Sequence, residues 1–317
     1  MEYLQQLKQI FAQPDLRQAH KEAVPILEQA VRDKEFFSAV IRQNFSDPDF
    51  LDRVRNYPTL SIPIEENESF TLRANCFLPL PDGNTDVTFQ SIHHHGSLLL
   101  TTISAFGSGY DSILFEPGYT VDQTTGLTNM KGVRYYHNEL HNYEFVDKFT
   151  PHVVFYPTNT SITFALWSHE KHQALDKVKK LGVLQKVKKP LKQIIKMAGL
   201  NAAVGINEIS FNDFYPEDGK IIGMRDRIDY PHGTNDNWLQ NVFSIAQQYG
   251  FDDMAFMQRV KTDCEQRGQL APIKWIDRFI AGEKIDLLFE QAHLNIAKVN
   301  LHKKDIFAAI DLDPVTT

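Results

Sequence analysis

At 317 residues and 42% hydrophobic, with no long apolar run, the chain is long enough to bury one large core or two modest ones and need not be membrane-bound or disordered. A net charge of −7 argues against a nucleic-acid binder, because affinity for the phosphate backbone comes mainly from Lys and Arg. The opening "MEYLQQLKQIFAQPDLRQAH" is broken by charges and glutamines, unlike a secretion signal, and Cys76 and Cys264 have neither CxxC nor disulfide-framework spacing. A protein with reduced thiols, in the cytoplasm and without a membrane span, is therefore expected.

Over the first fifty or so residues, Leu4, Leu7, Ile10 and Phe11, then Val24, Leu27, Ala30 and Val31, recur three and four apart, which predicts helices that Pro14 and Pro25 divide. From about Tyr57 the pattern changes. "TLSIPIEENESFTLRANCFLPLPDG" alternates, is rich in β-branched residues and ends in a turn signal, and strand-like segments continue to "HVVFYPTNTSITFALWS". So many short strands predict a sandwich or a closed barrel. After Trp167 the helical period returns through Leu175, Val178, Leu181, Leu184, Val187 and Leu191, and again from about Asn235 to Ile310, across a turn-rich linker "FNDFYPEDGKIIGMRDRIDYPHGTND".

Eight of the twelve histidines fall between His93 and His172. In "SIHHHG", strand alternation sends His93 and His95 to one face and His94 to the other. An inward pair about 7 Å apart at Cα can converge on one metal ion, with a third ligand from another strand. His152, opening the strong strand in "FTPHVVFYP", is the best third ligand. In "HNELH", His137 and His141 would share a helix face but Glu139 sits at i+2, on the wrong side for a zinc-hydrolase motif, and the aromatic flanks favour a strand or hairpin instead.

A His-x-His strand with a lone later His resembles the cupin superfamily over roughly residues 58–168. Where that family's first motif carries a glutamate ligand, this chain has Leu99 and Leu100, so the resemblance is to the three-histidine subset. Within it, "HHHGSLLLTTISAFGSG" is similar to cysteine dioxygenase-type thiol dioxygenases, and "TLRANCFLP" to the segment in which they keep an arginine for the substrate carboxylate, Arg73 here. Where those enzymes place a His and a Tyr after the third ligand, this chain has Ala165 and Trp167.

The architecture this implies is α+β: a helical N-terminal arm over 1–56, a cupin-like β-barrel (double-stranded β-helix) over 57–168, and a helical C-terminal region over 169–317. The function it implies is a mononuclear iron cupin oxygenase. His93, His95 and His152 would hold Fe(2+), or another divalent transition metal, with Arg73, His137 and Tyr135 around a small anionic carboxylate or thiol substrate and Tyr143 nearby. A homodimer through sheet edges is also expected. The opposing reading is a non-catalytic cupin that binds a metal or small molecule and recruits a partner through the nine lysines between 171 and 196, which otherwise form a solvated helical face. "FGSGYDS" lacks the GK[ST] of a phosphate loop and reads as a hairpin turn, and Asp226, Asp229 and His232 as loop residues.

Overall fold

A computed structural model describes residues 2–53, 60–80, 82–86, 88, 92–120, 122, 124, 127–169, 209–211, 213–217, 220–224, 234–288 and 302–310. The lysine-rich stretch 171–196 and Asp226, Asp229 and His232 lie outside them.

The N-terminal period folds as predicted into helices α1 (Glu2–Ile10), α2 (Leu16–Arg32), α3 (Lys34–Phe45) and α4 (Pro48–Leu51). Pro14 separates α1 from α2, and Asp15 caps α2 by accepting from the Gln18 amide. Pro25 does not divide α2 but sits within it on its exposed side, where water can satisfy the carbonyl that the missing N–H leaves free. Asp33 ends α2 with its amide and starts α3 with its carboxylate, which accepts from Glu35 and Phe36.

Strands β1 (Leu60–Glu66), β2 (Phe70–Phe77), β4 (Leu98–Phe106), β8 (Tyr143–Val146) and β10 (Ser161–His169) form one antiparallel sheet in the order β1-β2-β10-β4-β8. A second has the order β11-β3-β9-β5-β7, from β3 (Ile92–His94), β5 (Asp111–Phe115), β7 (Gly132–His137), β9 (His152–Val154) and β11 (Ile209–Phe211). From β3 to β10, β6 apart, the chain passes repeatedly from one sheet to the other, which is the winding of a double-stranded β-helix. The sheets do not close into the expected single barrel: β7 and β8 lie at edges of different sheets, and residues 138–142 carry the chain across instead of pairing them. "FGSGYDS" is likewise a crossing between sheets and not a hairpin. Its Gly107 and Gly109 have φ of 89° and 75°, and a Cβ there would lie 2.0 Å from the Thr160 carbonyl oxygen and 1.9 Å from that of Asn138.

The predicted linker also holds structure. It begins at the last residue of β11 and contributes β12 (Asp213–Glu217) and β13 (Lys220–Met224), which pair as a hairpin and add β6 (Leu127–Met130) to a third sheet. Its prolines and glycines had read as turns, but the hairpin needs only a short break between two β-competent segments. Helices α5 (Asn235–Gln248), α6 (Met254–Arg267), α7 (Ile273–Ile280) and α8 (Lys303–Ile310) complete the described elements.

One hydrophobic core joins the N-terminal helices, α5 to α7 and one face of the first sheet, through residues such as Leu27, Phe37, Phe164, Leu166, Phe243 and Phe279. Trp238 of α5 donates its indole N–H to the Phe50 carbonyl at 2.9 Å, and the Phe45 and Phe243 rings lie 4.9 Å apart. The opposite face of that sheet meets the second sheet through Leu100, Leu114, Tyr136, Val146, Ala165 and Trp167. The far side of the second sheet is covered in part by Ile306 and Phe307 of α8. Among the described residues no helix is long and apolar enough to cross a membrane, and Cys76 and Cys264 are both buried and unbridged.

His20 binds the helical layer to the sheet. Buried on α2, it bonds Thr101 of β4 through Nδ1 at 2.7 Å and Ser168 of β10 through Nε2 at 2.8 Å. Burial pushes its pKa down to about 4, against the opposing pull of Asp147.

Two outcomes are expected. A fragment spanning 57–168 should aggregate, because it bares Ile62, Leu72, Phe164 and Leu166 on the face the helices cover; a monodisperse, cooperatively melting fragment would contradict this. His20 is neutral in the fold and titrates near 6.5 when unfolded, so its contribution is intact above pH 6.5 and falls away as pH drops towards 4, by roughly 3 kcal/mol at about 1.4 kcal/mol per unit. Denaturant unfolding between pH 7.5 and 4 should therefore show a shallower acid loss in His20→Gln than in the wild type, and parallel curves would refute the assignment.

Candidate metal centre

The site begins with one register pair. β3 runs antiparallel to β9 with His93 directly opposite His152, so the two side chains leave the same face of the sheet. His152 lies opposite Leu114 on its other side, and Leu114 packs between the sheets, so that face looks into the sandwich. His95 follows β3, where Gly96, with φ of 63°, turns the chain back into β4. The Gly96 amide donates to His94 Nδ1 at 2.9 Å, and the Leu98 amide donates to the His95 carbonyl at 3.2 Å.

Ring centroids of His93 and His152 are 4.3 Å apart, those of His93 and His95 4.9 Å, and those of His95 and His152 5.1 Å. One nitrogen of each lies within 4.8 Å of the other two. Bonds of about 2.1 Å to a common ion cap a ligand-to-ligand separation at roughly 4.2 Å, so the widest pair needs to close by no more than about 0.6 Å, which small side-chain rotations supply. His94 faces the other way, buried, with Nε2 2.6 Å from the Tyr119 hydroxyl. The alternation read from the sequence thus separates His94 from its neighbours.

The donor chemistry fits a metal. Burial, then the neighbouring charges of His93 and His94, push the His95 pKa down to about 3. Burial and the charges of His93 and His95 likewise hold His152 well below its ordinary value. These imidazoles are neutral at pH 7, the form that ligates. His152 Nδ1 lies 3.3 Å from the Thr150 carbonyl, to which it donates, and this leaves Nε2 as its donor to an ion. The Trp167 ring stands edge-on to His95 at 6.2 Å.

The other predicted residues distribute differently. Arg73 lies on β2 opposite Ala165, one repeat of the pleat from Trp167, and therefore on the inward face. Its guanidinium pairs with Glu66, and its buried Nε has no hydrogen-bond partner among the described residues. Tyr135 and His137 do not join the histidines. On β7 they alternate with Arg134 and the inward Tyr136, so they project outward, where Tyr135 packs on Phe307 and both bond Asp111. His137 Nδ1 lies 2.6 Å from Asp111 Oδ1 and Nε2 3.1 Å from the Ser108 carbonyl, with Lys303 paired to the same aspartate. In "HNELH", His137 ends β7 and the other four residues lie in the connection to β8, with Glu139 exposed and His141 at φ 66°, and Tyr143 is exposed on β8. Sequence reasoning passed over Thr150, because its part is played by a carbonyl that no side-chain pattern announces.

No protein-family model and no curated protein matches the sequence. Solved structures similar to part of it include TT1209 from Thermus thermophilus (14% identity, TM-score 0.25, covering 39% of this chain and 94% of that one). A cupin domain from Bordetella pertussis shares 13% identity at a TM-score of 0.24, covering 37% and 98%. The DMSP lyase DddQ from Ruegeria pomeroyi shares 14% at 0.25, covering 40% and 52%. The similarity is confined to about two fifths of this chain.

Elemental analysis of protein loaded with one divalent metal tests the ligand set. His95→Ala and His152→Ala should each lose most of the metal, whereas His94→Gln, altered on the opposite face, should retain about one ion per chain. Full occupancy in both alanine variants would place the site elsewhere.

Proposed function

We propose that the protein is a mononuclear metal-dependent oxygenase that uses iron(II), held by His93, His95 and His152, to act on a small anionic substrate bearing a carboxylate or a thiol. The convergence of three imidazoles on the inward face of the sandwich carries this reading. When bound, iron(II) would supply open coordination positions for substrate and dioxygen, its charge uncompensated by three neutral ligands and so favouring an anion.

The remaining tasks fall to the chain. Thr150 fixes the ring of His152 through Nδ1. Trp167 stands edge-on beside His95 and supplies an apolar wall on that side of the site. Arg73, its Nη2 paired with Glu66, offers a substrate carboxylate a buried Nε–H that has no other partner among the described residues, on the face Trp167 shares, and a hydrogen bond from a charged guanidinium to a carboxylate is a strong one. Leaving such a donor orphaned costs free energy that a bound carboxylate would recover. Tyr135 and His137, on the other side of the second sheet, take no part in this chemistry.

The test is oxygen uptake by the iron-loaded protein with panels of small thiols and carboxylates. Uptake is expected only when a substrate is present, and Arg73→Ala should raise KM about tenfold or more with metal content unchanged, since a charged hydrogen bond is worth roughly 1.5–3 kcal/mol. Loss of His152 should abolish both metal and turnover. An iron-loaded protein that binds neither nitric oxide, as a dioxygen surrogate, nor any such anion would leave the non-catalytic binding protein as the better reading.

A further inference from the structure

We infer that Arg17, on the N-terminal helical arm, is a positioning residue for the metal centre, acting through Asp147 and the β8–β9 turn on the ring of His152. The inference rests on the metal-binding reading of the three histidines. It assigns the arm a task besides covering the sheet.

The connection runs through bonded atoms. Arg17 Nε and Nη2 donate to Asp147 Oδ2 and Oδ1 at 3.0 and 2.9 Å, the two-pronged geometry in which a guanidinium fixes both the place and the plane of a carboxylate. Asp147 opens the turn: its Oδ1 also accepts from the Lys148 amide at 2.7 Å, and its carbonyl accepts from the Thr150 amide at 3.2 Å. The Thr150 carbonyl, at the far end of that turn, takes the Nδ1 proton of His152. The Pro151 carbonyl then accepts from the Phe115 amide at 2.9 Å, returning the chain to the sheet.

The same turn touches the other arm of the ligand set. Phe149 donates its amide at 2.7 Å to the carbonyl of Gly96, the residue directly after His95, and its ring lies 5.8 Å from His94. Phe149 holds φ of 58°, a left-handed conformation that a non-glycine residue keeps only where its surroundings enforce it. Freed of its tether, such a turn relaxes, and both the Thr150 carbonyl and the Gly96 contact move with it.

Arg17 is a suitable anchor because its helix cannot slide. His20, three residues on and on the same side of α2, is bonded to β4 and β10 at once. Arg17 and Asp147 are themselves about half exposed, and an isolated surface ion pair adds little to global stability. A purely structural pair would therefore leave metal binding untouched, whereas a positioning pair changes affinity far more than it changes melting.

Cobalt(II) alone serves as the probe, its affinity measured in competition with a chromophoric chelator and its coordination read from the visible ligand-field bands. Arg17→Ala should weaken cobalt binding about tenfold, the lower end of what losing an outer partner of a metal ligand costs, and should alter the bands, while the melting temperature of the metal-free protein changes little. Asp147→Asn, nearly isosteric, should behave the same way and stands in if Arg17→Ala folds poorly. The swapped pair Arg17→Asp with Asp147→Arg should recover part of the affinity. Wild-type affinity and bands in both single variants would overturn the inference, as would a loss of affinity matched by an equal loss of melting temperature and not relieved by the swap. A wild-type protein that takes up no cobalt would instead overturn the metal reading itself, and this inference with it.

Discussion

The placement of His93 opposite His152 is the constraint on which the site depends. Strand side chains alternate with period two, so a slip of one residue between β3 and β9 would substitute His94 for His93 and turn the imidazole pair away from the sandwich interior. The register is held from both faces. Ile92 and Val153 are fully buried in the core on the outer side, and His94 is bonded to Tyr119 there. On the inner side Leu114 and Val154 flank His152 in the packed space between the sheets. Apolar burial on one face thus specifies which polar groups appear on the other, and β3 needs only three residues to do it.

The helices make that precision possible in a sandwich whose sheets do not close. The outer face of the first sheet is almost wholly apolar, with Ile62, Ile64, Leu72, Ala74, Ile103, Phe164 and Leu166 among its buried residues, and only a continuous helical layer can remove so much of it from water. N-terminal and C-terminal helices share the task and interlock through Phe45, Phe50, Trp238 and Phe243. His20 and Arg17 then give the layer directional contacts that hydrophobic packing alone does not supply.

Much of the site was legible because it follows the shortest period in the chain. Alternation in "SIHHHG" separates His94 from His93 and His95, and the strand signal in "PHVVFY" picks out His152. The same alternation could not place Tyr135 and His137. It sorts residues into two faces without saying which is inward, and β7 carries an aromatic residue on each face, Tyr136 within and Tyr135 against Phe307 without, so neither face is marked by polarity. The partner that covers the outer face, α8, lies more than 160 residues further along the chain. Pro25 misled for the opposite reason: its local rule is real, but it applies to helix interiors whose freed carbonyl cannot reach water. Strands β12 and β13 were hidden by prolines and glycines that tertiary pairing tolerates at an edge hairpin.

Placing three imidazoles side by side also sets the electrostatics of the centre before any ion arrives. Desolvation penalises the charging of His95 and His152, and a charge on His93 would penalise both further, which is why His95 is driven down to about 3 and His152 well below its usual value. The desolvation of the ligands is therefore met by folding, where the cores on both sides of the strands supply the driving force. An ion entering such a site would meet, in His95 and His152, donors that carry no competing proton at neutral pH, and lone pairs that burial has stripped of water would gain a partner. Free energy released in that step would belong to the folded state alone, so an ion would stabilise β3, β9 and the turn that joins β3 to β4.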